Sequence, residues 1–216
     1  MVRVKICGVT DSDGLGKVVR SGADAVGFIT QVPVDTPRNL SVEEVSHLVS
    51  ETPPFVTTVA VVMPDTADEA VELAESSGAD VLQVHSHLEP DEVEYLSRET
   101  DAGVVKRVEP NPDHATKYSE TADALIVDST DEDGAGGTGE THDWSRTSEV
   151  VREVDVPVVL AGGLRPGNVK EAVEAVEPYA VDVASGVESS DGGKDAQLVE
   201  RFVAESRSQT EVETRV

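Results

Sequence analysis

Eight short runs of mostly β-branched and apolar residues recur along the chain at a nearly constant spacing. Arg3 and Ala180, which begin the first and last runs, are seven steps apart, and each step of about 25 residues is long enough for a strand, a loop and a helix. Such alternation is typical of a parallel sheet covered by helices. The predicted strands are Arg3–Cys7, Ala25–Ile29, Thr57–Val62, Val81–His85, Gly103–Val108, Ala124–Asp128, Val156–Ala161 and Ala180–Ala184.

The segments between these runs carry helix signals. Ser41 is followed three residues later by Glu44, which predicts a capping box at the start of a helix. Gly22 and Gly78 each belong to a Ser-Gly-Ala-Asp quartet directly before a predicted strand, where a glycine favours the end of a helix. The repeated quartet also indicates duplicated strand–helix units.

Eight strand–helix units predict a single-domain α/β fold, a (β/α)8 TIM barrel over residues 1–205, followed by a polar C-terminal tail at 206–216. A doubly wound open sheet is the alternative. That fold more often has five or six strands and a glycine-rich first loop, which the segment Cys7–Asp11 lacks.

The net charge of −26, from 43 acidic and 17 basic residues, limits the partners of the chain. Nucleic acids and anionic membranes are disfavoured because phosphate contacts need a basic surface. No apolar run approaches the length of a membrane span, the N-terminus does not resemble a signal peptide, and a single cysteine excludes an internal disulfide. We therefore expect a soluble, cytoplasmic protein. The acidic residues are spread along the whole chain, which favours adaptation to a salty, halophilic cytoplasm.

Active-site groups of a barrel lie at the C-terminal ends of its strands, where this chain places Cys7, His85, Lys106 and Asp128. Strand alternation turns Lys5 and Cys7 away from the apolar face and into the barrel mouth. A thiol near a cation is shifted toward the thiolate and can act as a base or nucleophile, although a lone cysteine is more often an inert buried side chain.

Asp128 ends a strongly apolar run, which favours a functional carboxyl group over a simple cap. Partial burial would favour its protonated form and let it act as a general acid. Gly162, Gly163, Ser185 and Gly186 follow the last two strands, where barrels of this kind bind phosphate through backbone N–H groups, although glycines there can also serve tight turns alone.

Two further patterns formally match a binding motif but do not predict the corresponding site. The segment Gly134–Gly139 formally fits a dinucleotide motif, but three acidic residues directly before it would repel a pyrophosphate, so we expect a mobile lid instead. His85 and His87 resemble two ligands of a metal site, but no third ligand is suitably spaced, so no metal is predicted. Arg38 is either a solvated charge or a carboxylate clamp.

In this order and spacing, several motifs resemble the phosphoribosylanthranilate isomerase family of tryptophan biosynthesis over residues 2–204. They are Lys5-Ile6-Cys7-Gly8, Gly22–Phe28, Pro37-Arg38, Leu82–His85, Asp123–Ser129, Gly136–Gly139, Asp143-Trp144, Leu160–Leu164, Asp182, Ser185–Glu188 and Lys194-Asp195. The chain departs from the common pattern at Thr36, Ser86, His142 and Ala184, none of which is a proposed catalytic position.

The resemblance implies a cofactor-free Amadori rearrangement of N-(5′-phosphoribosyl)anthranilate. It implies that Asp128 is the general acid for the ring oxygen, Cys7 the general base for the C2′ proton, and Arg38 the ligand of the anthranilate carboxylate. The remaining implied substrate-binding residues are Lys5, His85, Asp182 and the phosphate loops at Gly162, Gly163, Ser185 and Gly186. The expected partner is this small molecule, without nucleic acid or membrane, and the expected oligomeric state is a monomer.

Two other functions stay open at this point. A sugar-phosphate isomerase of histidine biosynthesis would resemble this fold, but it uses two aspartates where this chain has Cys7 and Asp128. A non-catalytic barrel that binds phosphorylated metabolites would keep the glycine loops without needing both of these side chains.

Overall fold

In the computed structural model, which describes residues 1–128 and 144–208, parallel strands close into a barrel. Around it the strand order is β1, β9, β8, β7, β6, β5, β4, β2, and pairing of β1 with β2 completes the ring. A two-residue strand, β3, adds to the end of β2. The strands are β1 Arg3–Cys7, β2 Ala25–Thr30, β3 Asn39–Leu40, β4 Thr57–Val62, β5 Val81–Val84, β6 Gly103–Val108, β7 Ala124–Asp128, β8 Val158–Ala161 and β9 Ala180–Val183.

Helices follow the strands and form the outer layer. Within the described part of the chain they are α1 Ser12–Arg20, α2 Val42–Glu51, α3 Ala67–Ser77, α4 Pro90–Glu99, α5 Pro112–Ser119, α6 Trp144–Glu153, α7 Val169–Val176 and α8 Ala196–Arg207. None of these helices is long and apolar enough to cross a membrane. This architecture confirms the predicted (β/α)8 barrel.

The main hydrophobic core lies between the barrel and the helices. In β1, Val4 and Ile6 belong to it, whereas Cys7 belongs to a second, smaller cluster with Val59 and Val61 inside the barrel. Because side chains alternate across a strand, Lys5 lies on the same inward face as Cys7. The predicted orientation of both side chains is therefore the one observed.

The local helix signals are also observed. Ser41 and Glu44 form the capping box of α2, and Gly78 ends α3 with a φ of 65°. Gly22 follows the end of α1 with a φ of 77°. Both glycines have the left-handed backbone that favours this residue at helix ends.

Element boundaries differ from the predictions by one or two residues. β8 begins at Val158 rather than Val156, because Pro157 has no N–H to donate to the sheet and only its carbonyl pairs, accepting from Leu125 at 2.9 Å. α8 continues to Arg207, so two residues of the segment predicted as a tail belong to a helix. The predicted lid at Gly134–Gly139 lies outside the described residues.

Candidate active site

Cys7 ends β1 inside the barrel and lies above a buried ion pair. Lys5, on the same strand, donates from Nζ to Oδ1 of Asp182 on β9 at 2.9 Å. Burial is the largest single influence on Lys5 and opposes its charge, but the attraction and hydrogen bonds of Asp182 and Cys7 together raise the pKa of Lys5. Burial raises the pKa of the Cys7 thiol, and the positive charge of Lys5 offsets this only in part. Lys5 and Asp182 thus set the charge around the thiol.

Gly27 on β2 provides the space that these side chains occupy. A Cβ atom at this position would lie 2.9 Å from Cys7 Sγ and 3.1 Å from Lys5 Nζ, closer than side-chain carbons normally approach. The resemblance covers Gly27, but sequence reasoning gave it no role. Only the pairing of β1 with β2 brings the glycine opposite Cys7.

Arg38 lies in the loop between β2 and β3 and contacts two other parts of the rim. Its stem crosses Gly8, where an added Cβ would lie 2.7 Å from Arg38 Cδ. Its guanidinium donates from Nε to Glu188 Oε1 at 2.8 Å and from Nη2 to Oε2 at 2.6 Å. The hydrogen bonds to Glu188 raise the pKa of Arg38 although burial opposes the charge.

Glu188 is shared with a second cation. Lys194 donates from Nζ to Glu188 Oε1 at 2.7 Å and to the carbonyl of Ala184 at 3.1 Å. Burial favours the neutral acid, but the hydrogen bonds from Arg38 and Lys194 hold the pKa of Glu188 below its ordinary value. Burial lowers the pKa of Lys194, and Glu188 offsets part of that effect. Sequence reasoning assigned no role to Glu188 or Lys194.

The two predicted phosphate loops touch each other. Ser185 and Gly186 lie in a turn of 3₁₀ helix, Ser185–Val187, after β9. A Cβ on Gly186 would lie 2.0 Å from the carbonyl oxygen of Leu164, which follows the Gly162-Gly163 pair. The amides of Gly163, Ser185 and Gly186 donate to no group among the described residues. They form a set of N–H groups suited to an anion.

His85 follows β5 and is a neutral group in this site. Burial, with smaller contributions from Lys5 and Arg107, lowers the pKa of His85 to about 3. Its Nε2 lies 2.6 Å from Nε2 of the buried Gln83, so the neutral imidazole accepts from the amide. His85 is therefore placed to make neutral polar contacts, and Gln83 is a partner that sequence reasoning missed.

Lys106, which the sequence places toward the C-terminal end of a strand, lies in β6 but points away from the barrel interior. It shares the strand face of Val104 and Val108, which pack in the core between barrel and helices. Its Nζ donates to the carbonyl of Ser86 at 2.7 Å and lies 5.2 Å from the ring centre of Tyr118 on α5. Alternation places the next residue, Arg107, on the inward face instead.

Asp128 ends β7 on the same rim as Cys7. It shares its strand face with Ile126, whereas Leu125 and Val127 face the helices. β8 and β9 separate β7 from β1 in the ring, so Cys7 and Asp128 approach the barrel mouth from different strands. A molecule seated in the mouth can meet a thiol from one strand and a carboxyl group from the other.

The arrangement suits a small anionic substrate. Within the described ranges, no group of three or more His, Cys, Asp or Glu side chains could hold a metal ion. The mouth combines a thiol, a carboxyl group, a guanidinium and a set of backbone N–H groups. These groups can transfer protons and bind anions.

Comparison with known proteins identifies the family of this chain. The model described as N-(5′phosphoribosyl)anthranilate (PRA) isomerase matches residues 4–205. A protein named N-(5′-phosphoribosyl)anthranilate isomerase from Haloarcula marismortui is 52% identical over 211 residues, covering 98% of this chain and 99% of its own. A protein of the same name from Natronomonas pharaonis is 51% identical over 203 residues, covering 94% of this chain and 97% of its own.

Solved structures give the same result. Phosphoribosyl anthranilate isomerase from Thermotoga maritima superposes with a TM-score of 0.83 at 33% identity and covers 95% of this chain and 98% of its own. A structure of the same kind of enzyme, in complex with reduced 1-(o-carboxyphenylamino)-1-deoxyribulose 5-phosphate, superposes with a TM-score of 0.80 at 31% identity, with coverages of 95% and 98%.

Proposed function

The chain belongs to the N-(5′-phosphoribosyl)anthranilate isomerase family, and from this premise we propose how its own residues perform the reaction. The activity is that of an aldose–ketose isomerase of tryptophan biosynthesis. It converts N-(5′-phosphoribosyl)anthranilate into 1-(2-carboxyphenylamino)-1-deoxyribulose 5-phosphate. The histidine-pathway isomerase and the non-catalytic barrel are thereby set aside.

In the proposed mechanism, Asp128 and Cys7 act in sequence. Asp128 gives its proton to the ring oxygen of the furanose, the bond between that oxygen and C1′ breaks, and an iminium forms between C1′ and the anthranilate nitrogen. Cys7, as a thiolate, then removes the proton from C2′, and the resulting enolamine tautomerises to the ketone. What supports this assignment most is that alternation turns both side chains into one barrel mouth.

The other predicted site residues bind the ends of the substrate. Arg38 holds the anthranilate carboxylate, since its guanidinium lies beside Gly8 at the rim. The amides near Gly162, Gly163, Ser185 and Gly186 hold the phosphate. Lys5 and Asp182 set the charge around the Cys7 thiol, and the neutral imidazole of His85 makes a polar contact with the substrate. No cofactor takes part.

We also propose a cellular location and an oligomeric state for the protein. The acidic composition, together with relatives from halophilic archaea, supports a cytoplasm of high salt as the location. We also propose that the protein is a monomer, because the net charge of −26 makes two copies repel each other when their surfaces come into contact.

The assignment is tested by adding phosphoribosylanthranilate to the purified protein and following the loss of anthranilate fluorescence. Cys7→Ser and Asp128→Asn should each lower kcat by about 10²–10⁴-fold, because each removes a positioned acid or base. Asp155→Asn, at an exposed site before β8, is the matched control and should keep full turnover. Near wild-type turnover in either active-site variant would contradict the acid and base roles.

Arg38→Ala separates the two binding subsites. We expect KM for the substrate to rise far more than the inhibition constant of inorganic phosphate, because only the substrate carries the carboxylate. An equal loss for both ligands would mean that Arg38 does not bind the carboxylate.

A further inference from the structure

Arg38 is already bonded to a carboxylate of its own chain. Its Nε and Nη2 atoms form a two-point fork with Glu188, at 2.8 and 2.6 Å. A guanidinium has five N–H donors in one plane, and this fork uses two of them. Among residues 1–128 and 144–208, no group bonds to the edge formed by Nη1 and the second hydrogen of Nη2, which can receive another carboxylate. Glu188 therefore leaves Arg38 with a defined orientation and one free fork.

An isolated pair of Arg38 and Glu188 would carry no net charge and would attract a second carboxylate only weakly. Lys194 changes this, because its Nζ lies 2.7 Å from the Oε1 atom of Glu188. Two cations and one anion leave a net charge of +1 on the cluster. The side chains of Lys194 and Glu188 are only 1% and 9% exposed, so their charges are screened less by solvent than those of a surface pair.

The cluster also links the carboxylate end of the site to the phosphate end. Lys194 donates to the carbonyl of Ala184, the residue directly before the Ser185-Gly186 turn. Glu188 directly follows that turn and pairs with Lys194 through a backbone bridge. Arg38, from a distant part of the chain, is thus fixed against the same loop that carries the phosphate amides.

We propose that Glu188 and Lys194 are positioning residues for Arg38. Glu188 orients the guanidinium toward the substrate carboxylate, and Lys194 neutralises Glu188 so that the oriented cluster keeps one positive charge. This inference rests on the proposed role of Arg38 as the carboxylate clamp. In this cluster Glu188 orients the guanidinium of Arg38, and Lys194 leaves the cluster positive enough to attract the carboxylate of the substrate.

The test measures KM and kcat at one fixed KCl concentration for three variants. Arg38→Ala reports whether the clamp exists. Lys194→Met leaves Arg38 and Glu188 as a pair without net charge, so KM should rise about tenfold while kcat stays within about twofold. Adding Glu188→Gln to Lys194→Met removes the anion as well and keeps an acceptor for Arg38. KM of this double variant should return to within about threefold of the wild type.

A merely structural role would give a different pattern. If Glu188 and Lys194 only support the loop, the double variant should bind substrate worse than Lys194→Met, and that result overturns the proposal. A wild-type KM for Lys194→Met, with a raised KM for Arg38→Ala, overturns it while leaving the clamp intact. A wild-type KM for Arg38→Ala overturns the clamp and this inference together.

One further comparison covers the case in which Lys194→Met does not fold, and a second uses a surface variant as the control. If Lys194→Met alone does not fold, the double variant is compared with the wild type directly: a KM within about threefold supports the proposal, and a KM raised about tenfold contradicts it. The control is Glu94→Gln with Arg98→Met, which removes an exposed ion pair on α4 and should leave KM unchanged.

Discussion

Cys7 is the residue whose protonation limits the proposed reaction. The active form needs a proton on Asp128 and none on Cys7, whereas a carboxyl group ordinarily ionises at a much lower pH than a thiol. By these ordinary values, and because burial raises the pKa of Cys7, the more populated form with a single proton carries it on Cys7. Both forms hold the same number of protons, so the ratio between them does not depend on pH. The active form is therefore the same fraction of the single-proton population at every pH.

We therefore predict a flat profile of kcat/KM with an alkaline limb set by Cys7. Burial raises the pKa of Cys7, so the plateau should extend beyond the ordinary thiol value of about 8.5 before kcat/KM falls. Asp182 also raises the pKa of Cys7, so Asp182→Asn should move this limb to lower pH.

The titration can be measured independently of activity. Cys7 is the only cysteine in the chain, so the difference in ultraviolet absorbance between the wild type and Cys7→Ser reports its thiolate alone. Glu94→Gln removes a carboxylate from an exposed surface pair and serves as the control. If the alkaline limb and the thiolate titration fail to move together in Asp182→Asn, Cys7 is not the group that sets the profile.

For single residues, the sequence predicts which face of a strand a side chain occupies better than it predicts which group that side chain contacts. Alternation in β1 is enough to turn Lys5 and Cys7 inward, because the apolar residues between them fix the outer face. The same alternation, counted in β6 from Val104 and Val108, would have assigned Lys106 to the helix layer. The bond between Arg38 and Glu188 joins positions 150 residues apart, and no local pattern indicates which carboxylate faces the arginine.

Among the loops, the contact between the two phosphate segments depends on Gly186. A Cβ there would lie 2.0 Å from the carbonyl oxygen of Leu164, and a backbone atom cannot move aside as a flexible side chain can. Gly186→Ala should separate the loops and weaken the binding of inorganic phosphate at least about tenfold, which corresponds to about 1.4 kcal/mol. Calorimetric titration with phosphate measures this loss.

Gly193→Ala provides the matched control for this prediction. Gly193 lies in the same segment, but an added Cβ would approach no atom closer than 3.6 Å, so phosphate should bind as in the wild type. Unchanged phosphate affinity in Gly186→Ala would mean that the amides of these loops do not form the phosphate site.

Elements were predicted well because each has a local cause. The β-branched runs, the Ser41 capping box and the glycine at the end of α3 act over a few residues and can be identified from the sequence. β3 was missed because a two-residue strand has no periodicity to detect. The close approach of Gly27 to Cys7 was missed for another reason: it follows from pairing between strands, which the sequence of either strand alone does not specify.

For the molecule as a whole, charge is the dominant feature. Even if each of the 17 basic residues paired with one carboxylate, 43 − 17 = 26 carboxylates would have no cation from the chain. Exposed acidic residues lie on several helices, so their repulsion acts over the whole outer layer. That repulsion reaches across the surface in dilute buffer and is short-ranged in concentrated salt, because the Debye length falls from about 10 Å at 0.1 M to about 3 Å at 1 M.

The melting temperature and the activity should therefore rise between about 0.1 M and 2 M KCl, with partial unfolding at the low end. Replacing six exposed glutamates with glutamine should raise the melting temperature at low salt and flatten its salt dependence. These positions are Glu43, Glu72, Glu75, Glu99, Glu171 and Glu200. Replacing the same six with aspartate keeps the charge and should preserve the salt dependence of the parent. The explanation by carboxylate repulsion fails if the parent melts at one temperature across the range, or if the glutamine variant depends on salt as strongly as the aspartate variant.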